Sequence, residues 1–232
     1  MAAFSYERLY RLQDVVLSQI AAKSAGFYLT GGTALSRFYL GHRYSDDLDF
    51  FTHDVLSFSD AFRAIHGLIS SFYPAIALEV DARDFKRLRI LDDGTELKVD
   101  FVADRIARTG MPVSIRNVYV DTVRNILGNK LCAILGRDEG RDIADLIHIS
   151  LERRFTWQSV LADVSRKEAF QTEELVMRLD SFPIEALSRV PFVESWPLDV
   201  YAGYLAAIRG DIWNAGENTL AGSEKPFLEK SP

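Results

Sequence analysis

At 232 residues the chain has room for one domain with an appendage or for two small ones, at about 150 residues per domain. Apolar residues at 48% and charged residues at 26% exclude a disordered, fibrous or disulfide-stapled protein. A formal charge of −6, from 27 basic and 33 acidic side chains, excludes a broad electropositive surface for duplex DNA and leaves room only for a local basic groove. The single cysteine, Cys132, can build neither an intrachain disulfide nor a cysteine metal site, which suits a reducing compartment. No run of about 18 apolar residues offers a membrane span. Glu7, Arg8, Arg11 and Asp14 stand where a signal peptide needs an apolar core, so a cytoplasmic protein is expected.

Helical spacing of Leu9, Leu12, Val16 and Ile20 predicts an amphipathic helix over 6–23, with Gly26 as its stop. Phe27–Thr30 is β-prone and ends in Gly31-Gly32, after which 33–40 reads as a helix: strand, glycine turn, helix. Asp47–Phe51 alternates as a strand does, and 58–72 returns to helical spacing. Short strands follow at 76–80, 85–91, 96–103 and 113–120, with Asp92-Asp93-Gly94 as a hairpin turn, so a mixed or antiparallel sheet is expected. Beyond Asp121-Thr122, a good helix cap, the pattern predicts helices at 123–136, 142–152, 157–166 and 167–179, and a shorter one at 198–209. The expected organisation is an α/β (α+β) mixed-sheet domain over 1–121 and a mainly helical region over 122–232, ending in a mobile tail from about 216.

Asp47 and Asp49 are one residue apart on a strand, so both carboxylates point to one face, where a divalent cation could bridge them. Asp100 stands among apolar neighbours in Leu97-Lys98-Val99-Asp100-Phe101-Val102, an expensive place for an unpaired charge that a third carboxylate role would explain. The alternative is a solvated turn at 46–49 and an exposed sheet face at Asp100. Gly31-Gly32 before a helix lets backbone approach a phosphate, and Thr33 and Ser36 would add hydroxyl donors; a plain turn is the other reading. Lys130 falls within the stripe of Val123, Ile126, Leu127, Leu131 and Ile134, so it either snorkels to solvent or meets an anionic partner. Asp142 and Asp145 are neighbours on the next helix, Asp142 at the edge of its apolar side and Asp145 one step further out. Arg83, Lys86, Arg87 and Arg89 read as the wet face of a strand, with contact to an RNA backbone as the alternative. The four histidines show no metal-ligand spacing, and Phe50, Phe51, Phe62, Phe72, Trp157 and Trp196 read as core.

Together, Gly31-Gly32-Thr33-Ala34-Leu35, His42-Arg43, Ser45-x-Asp47-Leu48-Asp49-Phe50-Phe51, Leu97–Phe101, Lys130-Leu131 and Arg141-Asp142-x-x-Asp145-Leu146 resemble the AbiEii/AbiGii toxin family of the nucleotidyltransferase superfamily. That family comprises abortive-infection and type IV toxin–antitoxin enzymes. The resemblance covers about residues 25–150; Asp46 is one carboxylate more than the pattern asks for, and beyond Leu151 no motif aligns. It implies the nucleotidyltransferase fold and Mg²⁺ (or Mn²⁺) held by Asp47, Asp49 and Asp100. It further implies a nucleoside triphosphate cradled by Gly31, Gly32, Thr33 and Ser36 and neutralised by Lys130, with Asp145, and Asp142 beside it, orienting that lysine or the incoming group, and with Asp142 also counted among the nucleotide-binding residues. The implied reaction is nucleotide transfer to the 3′ end of tRNA or another RNA, with a cognate antitoxin as a possible partner. Transfer to a protein hydroxyl, or a non-catalytic binding module on the same fold, are the alternatives.

Overall fold

The computed structural model describes residues 5–23 and 26–228. They fall into two compact units: unit 1 runs to Ala34 and adds Tyr44–Ile106 and Pro112–Asp121, while unit 2 takes Leu35–Arg43, Ala107–Met111 and the chain from Thr122 onward. The division is therefore not one cut near residue 121. Segment 35–43 goes with the helical unit because Arg43 bonds Asp145 and bridges Phe192. Segment 107–111 goes with it because Lys167 and Asn125 bond the backbone of Ala107 and Thr109.

In unit 1 the chain forms α1 (Tyr6–Ala22), β1 (Tyr28–Thr30) and the start of α2 (Gly31–Leu35), a helix prolonged by a π turn at Ser36–Leu40. Then come β2 (Leu48–Thr52), α3 (Phe58–Phe72), β3 (Ile76–Asp81), β4 (Phe85–Asp92), β5 (Thr95–Ala103), β6 (Val113–Ile115) and β7 (Val118–Val120). The seven strands make one mixed sheet in the order β3-β4-β5-β2-β1-β7-β6. β2 runs parallel to β5 and β1 parallel to β7, and the other neighbours are antiparallel. Two left-handed residues, Asp93 (φ 43°) and Gly94 (φ 73°), turn β4 into β5, and Arg116 and Asn117 (φ 51° and 65°) do the same between β6 and β7. That backbone matches the twist of a tight hairpin, and it is why the single strand expected over 113–120 is two.

Along β5 the side chains alternate. Leu97, Val99 and Phe101 are fully buried, and Phe101 centres an aromatic cluster with Phe27 (5.2 Å), Phe50 (5.5 Å) and Phe62 (5.3 Å). Lys98 and Asp100, one residue out of phase, point to the opposite face. Phe72 was expected in the core but is exposed. It is the last residue of α3, and Tyr73, extended beyond it, takes the buried place. Phe51 shares a face with Asp49 and is half-buried.

Unit 2 contains α4 (Val123–Gly136), α5 (Gly140–Glu152), α6 (Trp157–Ser165), α7 (Thr172–Asp180), a 3₁₀ turn (Ile184–Arg189) and α8 (Leu198–Trp213). α4 packs against α5, α6 and α7. Thr122 caps α4 by accepting a hydrogen bond from the Asn125 amide at 3.1 Å. The helix expected at 167–179 starts five residues later, because the Lys167 amide closes α6 on the Val164 carbonyl and its ammonium bonds Asn125 at 2.7 Å. The expected mobile tail is pinned as far as Leu228, through Asn218, whose side-chain amide donates to the Ser150 and Arg153 carbonyls at 2.6 and 2.7 Å. The Leu228 amide in turn donates to the Arg154 carbonyl. Residues 229–232 lie outside the described residues. Among the described residues no helix is long and apolar enough to cross a membrane.

Candidate active site

Parallel pairing of β2 with β5 sets Asp49 opposite Asp100, in register, and both project from the face of the sheet away from the aromatic core. Asp47 precedes β2 by one residue, so period-two geometry gives it the same face. The loop before it is braced from α1: Gln13 donates to the carbonyls of Ser45 (3.0 Å) and Asp46 (3.1 Å), and the Tyr10 hydroxyl accepts from the Ser45 amide. Gly31 begins α2 at φ +71°, and a Cβ there would stand 2.8 Å from Asp49 Oδ2. Only glycine lets the carboxylate lie that close to the backbone.

Cations from the same face meet these carboxylates. Arg87, opposite Asp100 across the β4–β5 hairpin, donates through Nε and Nη2 to its two oxygens, each at 2.7 Å. That bond, against the smaller opposing effect of burial, raises the Arg87 pKa above its ordinary value. Lys98 Nζ lies 2.7 Å from Asp47 Oδ2, and Arg89 is tied to Glu79 and Glu96. The basic residues read as a wet face are thus split. Arg87 and Arg89 serve the acidic face, while Lys86 pairs with Asp81 and lies over the Phe62 ring. Among the described residues no three carboxylate, histidine or cysteine side chains are gathered around one ion position. The oxygens that could hold a divalent cation are those of Asp47, Asp49 and Asp100 on this one face, with Gly31 against Asp49, Lys98 on Asp47 and Arg87 on Asp100. Asp47 and Lys98 also line an open cavity of about 430 Å³ together with Tyr6, Arg8, Asp46 and Arg89.

The Thr33 hydroxyl, 1% exposed, lies against the Asp47 carbonyl and 2.8 Å from the Ser45 hydroxyl. With one proton it donates to the carbonyl and accepts from Ser45, so it braces the acidic loop. Gly32, beside Gly31, is half-buried. The other expected residues belong to unit 2. Ser36 is 4% exposed, and among the described residues its hydroxyl has no hydrogen-bond partner.

Lys130 does not snorkel. Its ammonium lies 2.8 Å from Asp142 Oδ1 and 2.6 Å from Asp145 Oδ2. Asp145, expected on the outer side of its helix, is fully buried; it accepts from Arg43 Nε (2.7 Å) and Nη2 (2.8 Å) and from His42 Nε2 (2.8 Å). Arg137 donates to the second oxygen of Asp142 at 2.8 Å. Burial opposes ionisation of Asp145, but Lys130, Arg43 and His42 hold its carboxyl well below the usual range. For Lys130 the same balance, burial against Asp145 and Asp142, comes out above the usual lysine value, so the charged form prevails. Burial pushes His42 below its ordinary pKa despite the Asp145 hydrogen bond. His148, whose ring lies 4.6 Å from that of His42 and 5.0 Å from Trp196, is pushed down to about 3, first by burial and then by His42. Both rings are neutral at pH 7.

Sequence reasoning did not single out Arg87, Lys98, Arg43, His42 or Arg137 as members of these clusters. For Arg87 a signal was present: a two-residue turn at Asp93-Gly94 pairs residues whose numbers sum to 187, which sets 87 opposite 100 and 89 opposite 98. No local pattern announces Arg43 beside Asp145, 102 positions away.

Residues 15–200 match the family model described as nucleotidyl transferase AbiEii toxin, type IV toxin–antitoxin system. No curated protein matches the sequence. Among solved structures, JHP933 from Helicobacter pylori superposes with a TM-score of 0.64 at 19% identity, over 92% of this chain and 94% of that one. MenT4, a nucleotidyltransferase toxin from Mycobacterium tuberculosis H37Rv, superposes with a TM-score of 0.60 at 17% identity, over 90% of this chain and 84% of that one. These likenesses establish the shared fold.

Proposed function

The chain belongs to the AbiEii family of nucleotidyltransferase toxins, and from that premise we propose that it moves a nucleotide from a nucleoside triphosphate onto the 3′-terminal hydroxyl of tRNA, with magnesium held by Asp47, Asp49 and Asp100. The observation that carries this reading is the register of Asp49 with Asp100 on parallel strands, with Asp47 two residues earlier and Gly31 against Asp49. When bound, magnesium neutralises charge on the triphosphate and on the departing pyrophosphate. The acceptor oxygen attacks the α-phosphorus, the bond to pyrophosphate breaks, and Asp100 takes the hydroxyl proton.

Gly31 and Gly32 offer backbone without Cβ atoms to the phosphates, and Thr33 keeps the Asp47 loop in place from beneath. Within unit 2, Asp142 and Asp145 hold the Lys130 ammonium in its charged form. A cognate antitoxin is the partner that a toxin of this family calls for.

The test is to incubate the protein and its Asp47→Ala variant with Mg²⁺, each of four α-labelled nucleoside triphosphates, and total tRNA. Label on tRNA that is lost in the variant is the expected result. Label on protein would transfer the acceptor role to a protein hydroxyl, and full activity of Asp47→Ala would overturn the site.

A further inference from the structure

Asp100 and Asp47, both assigned to magnesium, each hold a cation from their own sheet. Arg87 grips Asp100 through two parallel bonds of 2.7 Å, and Asp100 has a side chain only 9% exposed. Lys98 grips Asp47 at 2.7 Å. Resting on that assignment, we propose that Arg87 and Lys98 are resident counter-ions that keep a bare divalent cation out and release the two carboxylates only to a cation arriving with a nucleoside triphosphate.

A forked guanidinium–carboxylate pair is among the stronger hydrogen-bonded contacts a protein makes, and where water is largely excluded its loss is poorly compensated. A bare divalent ion entering here must break the Arg87 and Lys98 contacts and then sit beside two displaced positive charges. A triphosphate changes that balance, because its anionic oxygens give both cations new partners as they let go. Each has room to swing: Arg87 has 31% of its side chain exposed and Lys98 28%. Their neighbour Arg89 is tied to Glu79 and Glu96 and stays in place. The consequence is positive coupling: nucleotide tightens metal binding, and by reciprocity metal tightens nucleotide binding.

The test titrates Mn²⁺ into the full-length protein, following free ion by electron paramagnetic resonance, alone and with α,β-non-hydrolysable analogues of the four nucleoside triphosphates. In the wild type the analogue should tighten Mn²⁺ by about tenfold or more, within the usual range of coupling between sites. In Arg87→Gln and in Lys98→Gln, Mn²⁺ alone should bind severalfold tighter and the coupling should shrink, with Arg87→Lys, which keeps charge without the fork, in between. Should Arg87→Gln fold poorly, Lys98→Gln carries the same measurement, and Mn²⁺ should raise the melting temperature of either variant more than that of the wild type. Unchanged or weaker Mn²⁺ binding in both glutamine variants overturns the counter-ion role. Asp47→Ala and Asp100→Asn are the control: if Mn²⁺ binding survives in them, the metal assignment itself fails, and if it is lost while the glutamine variants behave as wild type, only the counter-ion role fails.

Discussion

Replacing Asp145 with asparagine removes one negative charge from the centre of the unit 2 cluster while keeping its shape. The two carboxylate oxygens accept four hydrogen bonds, from His42 Nε2, Arg43 Nε, Arg43 Nη2 and Lys130 Nζ, at 2.6–2.8 Å. Arg43 has a side chain 2% exposed and no water to turn to. Breaking a buried ion pair from one side costs about 3–5 kcal/mol. With a urea slope of about 2 kcal/mol/M, the midpoint should fall by about 2 M. All three tryptophans, Trp157, Trp196 and Trp213, lie in unit 2, so tryptophan fluorescence reads that unit alone. Lys130→Met should cost less, since Asp142 keeps Arg137 and Asp145 keeps Arg43, and the double variant should cost less than the sum of the two. Because the folded Asp145 carboxyl is held below its unfolded value, its contribution is present above about pH 4 and is lost as pH falls through the folded value. The wild type and Asp145→Asn should therefore converge in acid. A midpoint shift under about 0.5 M at pH 7 would refute the account, because that corresponds to a surface pair.

Gly31→Ala combines a positive φ with a Cβ 2.8 Å from Asp49 Oδ2, so it should cost about 1–2 kcal/mol in stability and reduce nucleotidyl transfer further than that loss explains; wild-type kcat/KM would contradict the cradle. His148 sits near pKa 3 when folded and near 6.5 when unfolded, so between those values the unfolded chain binds the extra proton and stability falls as pH falls. From pH 7 to pH 5 unit 2 should lose about 2 kcal/mol on this account, and His148→Phe, which keeps a ring against Trp196, should flatten that slope in urea titrations at the two pH values. Asn218→Ala leaves the Ser150 and Arg153 carbonyls without its amide and should cost about 1–3 kcal/mol, with earlier proteolytic cleavage of the C-terminal segment as a second readout.

What the sequence determines by itself is local. Helical spacing sets the helix at 58–72, because a stripe at Phe58, Phe62, Ile65 and Ile69 can be buried in no other period. Asp93-Gly94 sets the β4–β5 hairpin through its left-handed turn, and with it the pairing of 87 with 100. The acidic pair and the glycine pair taken singly admit a solvated turn and a plain turn, and it is their combination with the downstream motifs, as a family resemblance, that points to nucleotidyl transfer. The tertiary structure decides whatever depends on residues far apart in the chain meeting: the parallel register that sets Asp49 beside Asp100, the close approach of Gly31 to Asp49, and the burial of Asp145 among His42, Arg43 and Lys130. A helical period shows that Lys130 lies in an apolar stripe but not which anion meets it, and an alternating strand shows a charged face but not what covers it. Segment 216–228 is the same case, since its polar composition gives no sign that Asn218 will satisfy the Ser150 and Arg153 carbonyls. Electrostatic partners are chosen by proximity in space, and only the packed chain supplies it.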